Sequence, residues 1–129
     1  MSSENFSPYE PRCIEVNNQN GVRFAAIIDN DYNKIAGGFR EGVIPYEGDE
    51  KLQDFYKFAV EISLRTDSYS TSLGALNYIA SRRDKVILIS FPFPLSKKIL
   101  LVSAEPGLDI EKLADVIVKI FSDDSLVSD

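Results

Sequence analysis

The stretch "GVRFAAIIDNDYNKIAGG", residues 21–38, decides the fold of this chain. Its first part, residues 21–28, is an apolar run with β-branched and aromatic members, which is typical of a strand. Turn-forming residues at 29–33 interrupt the run, and "KIAGGF" at 34–39 continues it. The pattern therefore predicts a β-hairpin, and the Gly-Gly pair at 37–38 predicts a bulge or a close approach of another backbone.

Apolar spacing predicts two helices after the hairpin. Residues from Asp49 to about Arg65 place apolar side chains at intervals of three and four, and Asp49 is suited to be the N-cap. A second helix is predicted from about 110 to 121, with Asp109 as its N-cap. Before the hairpin, a short helix or an irregular segment is expected within residues 10–20.

Three more strands are predicted between the two helices. They are "SLGALNYIAS" at 72–81, "KVILISF" at 85–91 and "KKILLVSA" at 97–104. The second is nearly all apolar, so we expect it in the centre of the sheet, and Pro92 is expected to end it because proline has no N–H for the ladder. The order of elements predicts an α+β fold, in which helices pack on a five-stranded antiparallel sheet.

Length and composition indicate one folded domain. The chain has 129 residues, of which 44% are hydrophobic, so it can bury a core. We expect a flexible N-terminus at 1–9, a single domain at 10–122 and an acidic tail at 123–129. The net charge of −6 disfavours nucleic acid as a partner, because nucleic-acid binding normally requires a basic face.

Side chains that carry chemistry are scarce. The chain has no histidine, which removes the commonest general base and zinc ligand, and it has one cysteine, Cys13. "DNDYNK" at 29–34 begins like a calcium-binding loop, but Lys34 and Arg40 stand where that loop requires glycine and glutamate. We therefore predict a turn there, no catalytic residue, no cofactor and no metal site, and we do not expect an enzyme.

The N-terminus and the apolar runs bear on localisation. "MSSENFSPYEPR" lacks the apolar core of a signal peptide, and the apolar runs are far shorter than the roughly 20 residues of a membrane helix. One cysteine allows no internal disulfide, which fits a reducing compartment. We expect a cytoplasmic protein that does not use a membrane as its partner.

The order of elements and the hairpin together resemble the roadblock family of the profilin-like superfamily. The residues that carry this resemblance are Gly21-Val22, the strand from Ala25 to Asp29 and the pair Ile35-Ala36. The turn departs from the family pattern, since residues 30–33 replace the usual Asp-Gly turn. The chain is also similar to a group of short archaeal proteins that share phrases such as "SRRDKV" and "LLVSAEP", and no activity comes with that likeness.

The roadblock resemblance implies a non-enzymatic protein that forms homodimers. Family members pair their third strands across a continuous sheet, pack their second helices together, and often act as scaffolds or regulators for small GTPases or motor complexes. For this chain, the resemblance implies a dimer edge within residues 72–82. It also implies that the helix from Asp49 to Arg65 faces the same helix of the second copy. The implied interface residues are Leu73, Leu76, Tyr78, Phe55 and Ala59. The alternative is a sensor domain similar to PAS and profilin-like proteins, which would bind a small ligand.

The charged turn "SRRDK" at 81–85 has two interpretations. Between Arg65 and Lys98 there are six basic and two acidic residues, so the segment is basic within an acidic chain. The charges are either solvated at the tip of a hairpin or form a contact for an acidic partner, because arginine suits carboxylate geometry. In the second case the partner-binding residues are Arg82, Arg83 and Lys85, and the partner is a small GTPase or another protein with an acidic surface.

Overall fold

The structure, a computed structural model, describes residues 8–66, 70–93 and 97–122. The expected acidic tail and most of the expected flexible N-terminus lie outside these residues. The helices are α1 (Glu10–Asn17), α2 (Asp49–Thr66), α3 (Ser70–Leu73) and α4 (Ile110–Phe121). The strands are β1 (Val22–Ile28), β2 (Lys34–Phe39), β3 (Ile79–Arg82), β4 (Ile87–Phe93) and β5 (Lys98–Ala104).

The five strands form one antiparallel sheet in the order β2-β1-β5-β4-β3. This confirms the predicted sheet and the α+β class. Strands β1 and β5 lie in the centre and are almost entirely buried, because helices cover them from both sides. Strands β2 and β3 are the two edges; β3 is largely exposed, whereas most of β2 is half-buried or buried.

Helices cover the sheet on two sides. On the α1/α4 face, α1 and α4 pack on residues such as Ala25 and Ile27 of β1. On the α2 face, α2 packs on Phe24, Ala26 and Ile28 of the same strand. Successive residues of β1 point to opposite faces, because side chains alternate along a strand. Both faces are covered by helices, so the strand is apolar at nearly every position.

The hairpin at residues 21–38 is confirmed in detail. The Asp29 carboxylate accepts hydrogen bonds from the backbone N–H of Asp31 (2.9 Å) and of Asn33 (3.0 Å), which closes the turn. Gly37 has a φ of +82°, and a Cβ built there would lie 2.1 Å from the carbonyl oxygen of Ala25. The close approach of β1 therefore requires glycine at this position.

The third strand is shorter than predicted. Of the predicted range 72–81, only the last part belongs to β3, and residues up to Leu73 form α3 instead. Gly74 separates the two with a φ of +91°, a conformation that does not continue a strand. Leu73 is 80% exposed, so the apolar residues at 72–76 do not form the buried strand that their sequence suggested.

The prediction that Pro92 ends the fourth strand was wrong. Strand β4 continues to Phe93, and Pro92 pairs with Ile99 of β5. The partner strand on the other side stops earlier, because Ile79, the first residue of β3, lies opposite Ser90. Beyond Ser90, no described strand pairs with this side of β4. Pro92, which has no N–H, is therefore tolerated there.

The helix starts were predicted to within one residue. The Asp109 side chain accepts a hydrogen bond from the backbone N–H of Lys112 (3.1 Å), which confirms the predicted N-cap of α4. Asp49 is instead the first residue of α2, and the N–H of Leu52 donates to the carbonyl of Gly48 (3.1 Å). Gly48 therefore takes the capping position, and Asp49 supplies negative charge to the first turn.

Candidate functional site

One edge of the sheet is open. The backbone N–H of Arg83 donates to the carbonyl of Val86 (2.8 Å), so these two residues form a hydrogen-bonded pair at the end of the β3–β4 hairpin. Bonded and non-bonded pairs alternate along an antiparallel ladder, so Ala80 and Arg82 point their backbone groups away from β4. Within the described residues, no strand pairs with this outer side of β3.

The opposite edge, β2, is partly covered by side chains of α1. The backbone N–H of Gly37 in β2 donates to the Glu10 carboxylate (2.9 Å). The Asn17 side-chain amide donates to the carbonyl of Gly38 (3.0 Å). Because exposed strand edges invite pairing with other chains, this partial cover makes β2 less open to pairing than β3.

The two arginines of the charged turn lie on opposite faces of the sheet. The Arg82 guanidinium donates to the carbonyl of Leu108 (3.1 Å) and to the carbonyl of Pro106, so it holds the β5–α4 connection on the α1/α4 face. Arg83 and Lys85 lie on the α2 face, where they line a groove. The structure therefore separates Arg82 from the other two residues that the sequence grouped with it.

This groove, called here the α2 groove, is bounded by the first half of α2, the loop at 40–48 and the turn at 83–86. It has a volume of about 650 Å³ and is partly open to solvent. Its floor includes Phe24, Leu88 and Leu101 from three neighbouring strands, and α2 contributes one apolar wall.

The residues predicted for a dimer interface lie in different surroundings. Leu73 is exposed, Leu76 is half-buried, and Tyr78 packs on Phe91 with ring centroids 5.8 Å apart. On α2, Phe55 is half-buried and Ala59 is 1% exposed. Both belong to the apolar stripe that faces the sheet, so Ala59 has no surface to offer a partner in this chain.

Phe58 is an exposed aromatic residue that the sequence analysis did not single out. Its side chain is 58% exposed on α2, and its ring stacks on that of Phe55 at a centroid distance of 6.3 Å. The signal was present in the sequence, because Phe58 falls outside the stripe of apolar residues that faces the sheet. Together with the half-buried ring of Phe55, Phe58 forms a small apolar surface on α2 that is available for a contact with another molecule.

The described titratable groups show structural roles. Burial raises the pKa of the Cys13 thiol to about 12, with a further contribution from the Glu10 carboxylate, which makes a reactive thiolate unfavourable. The Tyr78 hydroxyl donates to the Glu111 carboxylate, and that hydrogen bond raises its pKa. The same arrangement between Tyr32 and Glu61 (3.0 Å) raises the pKa of Tyr32. Each pair connects two elements of the fold.

Two further features concern metals and membranes. Across residues 8–66, 70–93 and 97–122, no three or more side chains of Cys, Asp or Glu come together in a group that could hold a metal ion. In the same part of the chain, no helix has the length and apolar character to cross a membrane.

The fold is similar to that of several solved structures. The Roadblock/LC7 domain from Streptomyces avermitilis has a TM-score of 0.66 and 14% identity, covering 88% of this chain and 92% of that one. The gliding protein MglB from Thermus thermophilus has a TM-score of 0.62 and 12% identity, covering 89% and 92%. An MglB protein with a tetrameric arrangement has a TM-score of 0.60 and 11% identity, covering 89% and 91%.

These likenesses show that the chain has the roadblock/LC7 fold, as the sequence resemblance implied. No curated protein matches the chain. The model of a family described as a family of unknown function, DUF6659, matches residues 1–125. The chain belongs to the DUF6659 family, and its fold is that of the roadblock/LC7 domains.

Proposed function

We propose that this protein is a non-enzymatic interaction module of the cytoplasm that forms a homodimer through strand β3. The observation that carries the proposal is the difference between the two sheet edges. Side chains of Glu10 and Asn17 cap the β2 edge, whereas Ala80 and Arg82 present free backbone groups on β3. Pairing two β3 edges would continue one sheet through both copies, which removes the exposed edge.

The exposed side of α2 supports the same arrangement. Strand pairing alone buries little apolar surface, so a stable dimer needs further contacts. Phe58 on α2 offers an apolar contact of this kind, and the roadblock resemblance implies that the second helices pack together across the dimer. We therefore infer that Phe58, together with the half-buried Phe55, contributes to the interface.

We further propose that the dimer regulates or scaffolds a small GTPase or another protein with an acidic surface. The roadblock resemblance implies this class of role, and the fold shared with the MglB proteins supports it. Arg83 and Lys85 on the α2 face are the basic residues that the proposal assigns to the partner. The buried Cys13, whose thiol is free, fits the reducing environment of the cytoplasm.

The small-ligand alternative is less well supported. A sensor domain normally encloses most of its ligand in a concave pocket. The α2 groove has the volume of such a site, about 650 Å³, but it is partly open to solvent and charged side chains surround its mouth. This shape suits a segment of another protein better than an enclosed small molecule.

The dimer is tested by the absolute mass in solution, measured by light scattering behind a sizing column at two concentrations. We expect a mass near twice 14.4 kDa for the wild type. Ala80→Pro removes the outward N–H without touching the β3–β4 ladder, so this variant should elute as a folded monomer. Ala80→Val keeps the N–H and is the matched control, which should remain a dimer.

Two results would contradict the dimer. A wild-type mass near 14.4 kDa at both concentrations would exclude stable self-association. A dimer that persists in Ala80→Pro would show that the copies join elsewhere than at β3. Circular dichroism of each variant shows whether the fold is kept. A lower mass of a folded variant then reflects the loss of pairing between β3 strands and not unfolding.

A further inference from the structure

The α2 groove has a preformed apolar floor that α2 does not fill. Phe24 packs edge-on against Phe39, with ring centroids 4.8 Å apart, and stacks on Tyr56 at 6.2 Å. These contacts hold the aromatic rings in fixed positions beside the groove. Leu88 of β4 remains half-buried there, because α2 leaves that part of the sheet uncovered. The floor can therefore receive an apolar side chain without any rearrangement of the core.

The loop at 40–48 forms a fixed wall of the groove. The Arg23 guanidinium lies 4.2 Å from the centre of the Tyr46 ring, and the Lys85 ammonium lies 5.6 Å from it. The same guanidinium donates to the carbonyl of Ile44 (3.0 Å) and lies 3.5 Å from the Glu105 carboxylate. Tyr46 therefore contacts two cations, and these contacts help to keep the loop beside the sheet.

The lining of the groove carries a small excess of positive charge. The exposed cations Lys51, Arg83 and Lys85 stand on the α2 wall and the 83–86 turn, and none forms an ion pair with another described residue. Glu47 and Asp84 are the acidic residues of the lining. The lining as a whole is net positive, whereas the chain carries −6, so this is a basic patch on an acidic protein.

We propose that the α2 groove binds a short acidic segment of a partner protein, with one aromatic or branched apolar side chain of that segment seated on the floor. The carboxylates of the segment would meet Lys51, Arg83 and Lys85, because charge complementarity of this kind selects a partner and speeds its association. The apolar anchor supplies the affinity, as buried anchors do in most interfaces. The inference rests on the proposed role as an interaction module and specifies its partner surface.

The separation of the two arginines sharpens this assignment. Arg82 donates both of its hydrogen bonds to the β5–α4 connection on the other face, so it does not contribute to the groove. Nucleic acid fits less well than a peptide, because the chain as a whole is acidic and the apolar floor of the groove suits an apolar side chain rather than a phosphate backbone.

The test measures binding of a fluorescein-labelled ten-residue peptide by fluorescence anisotropy. The peptide has phenylalanine and leucine at its centre and glutamate at most other positions. Its two comparison peptides replace the glutamates by lysine or the two central residues by serine. We expect binding of the acidic peptide, and an affinity at least about tenfold lower for each comparison peptide. Nitrogen-15 amide shifts on binding should centre on Tyr46, Leu88 and Ser103.

Variants locate the site. Arg83→Glu combined with Lys85→Glu should lower the affinity for the acidic peptide at least about tenfold. Lys112→Glu combined with Lys119→Glu makes the same change of charge on α4, at the opposite face, and should leave the affinity within about twofold. The monomeric Ala80→Pro variant keeps the groove, so peptide binding by that variant separates this inference from the proposed dimer.

Several outcomes would overturn the inference. These are equal binding of the lysine peptide, an affinity unchanged by the reversal at Arg83 and Lys85, amide shifts outside the groove, or no binding up to the solubility limit of the peptide. Tighter binding of a single-stranded DNA oligonucleotide at the same surface would assign it to nucleic acid instead. Preferential binding of dodecanoate would assign it to a small amphipathic anion.

Discussion

At the scale of single residues, Gly37 connects the hairpin to the edge of the sheet. Its missing Cβ lets the Ala25 carbonyl approach, and its N–H donates to Glu10 of α1. One residue thus allows the close β1–β2 contact and anchors the helix side chain that partly covers the β2 edge. Its φ of +82° adds a second reason for glycine, because L-residues rarely adopt that conformation.

We predict that Gly37→Ala destabilises the fold by at least about 2 kcal/mol, because the backbone strain and the clash with a carbonyl oxygen add together. Gly42→Ala is the matched control. Gly42 has a similar φ of +88°, but nothing lies within 4 Å of the added Cβ, so its cost should be near 1 kcal/mol, about the strain alone. Urea unfolding of both variants measures the difference, and equal costs would show that the close contact does not matter.

The parts of the fold that depend on neighbouring residues in the sequence could be predicted from residue patterns. The hairpin and the central strands were predicted because a buried strand needs a continuous apolar run, and turn residues mark its end. The caps of the β2 edge were not predictable, because Glu10 and Asn17 lie 27 and 21 residues from the backbone groups they contact. The split between Arg82 and Arg83 was missed because the predicted strand ended at residue 81, which placed both arginines in the turn. Strand β3 includes Arg82, and successive residues of an extended chain point to opposite faces of the sheet.

At the scale of the elements, the two sides of α2 differ in character. One side packs on the sheet through its apolar stripe, and its first half forms a wall of the α2 groove. The other side is largely polar, and Phe58, which is 58% exposed, interrupts it. The helix was predicted from its periodicity, but the notion that Ala59 faces a mate conflicts with its place in the buried stripe.

We predict that Phe58→Asp weakens the dimer at least about tenfold without lowering the stability of the single chain. A charge at the proposed helix contact would have to be buried in the dimer, whereas an exposed position tolerates it in the monomer. The change in mass with concentration, followed by light scattering, measures the dimer dissociation constant. Val118→Asp changes a residue of similar exposure, 53%, on α4, and should leave that constant unaltered.

The opposite result has a clear meaning. If Phe58→Asp and Val118→Asp behave alike, α2 does not contribute to the interface, and the dimer relies on the β3 edge alone. If Phe58→Asp instead unfolds the single chain, the exposed ring has a packing role that its position on α2 does not indicate.

At the scale of the whole molecule, the two proposals assign different parts of the surface to different contacts. They assign the β3 edge and the exposed side of α2 to a second copy, and the α2 groove with its cations to a different, acidic partner. The fold class and the order of elements, apart from α3, were predictable from the chain, because the main helices and strands each have their own apolar period. The division of the surface was not, because it depends on which strands end at the edges.

The whole-molecule arrangement predicts that binding of a small GTPase depends on the dimer. The α2 groove of one chain remains in the monomer, but a folded partner that also contacts the second copy gains that affinity only when two chains are joined, so the monomeric Ala80→Pro variant should bind at least about tenfold more weakly than the wild type. The measurement is isothermal titration with a small GTPase of the same organism, loaded with GDP or with a GTP analogue that is not hydrolysed. Ala80→Val, which keeps the dimer, should bind as the wild type does. Equal binding by Ala80→Pro would show that one chain is sufficient to bind the GTPase. No binding in either nucleotide state would contradict the proposal that this protein binds a small GTPase.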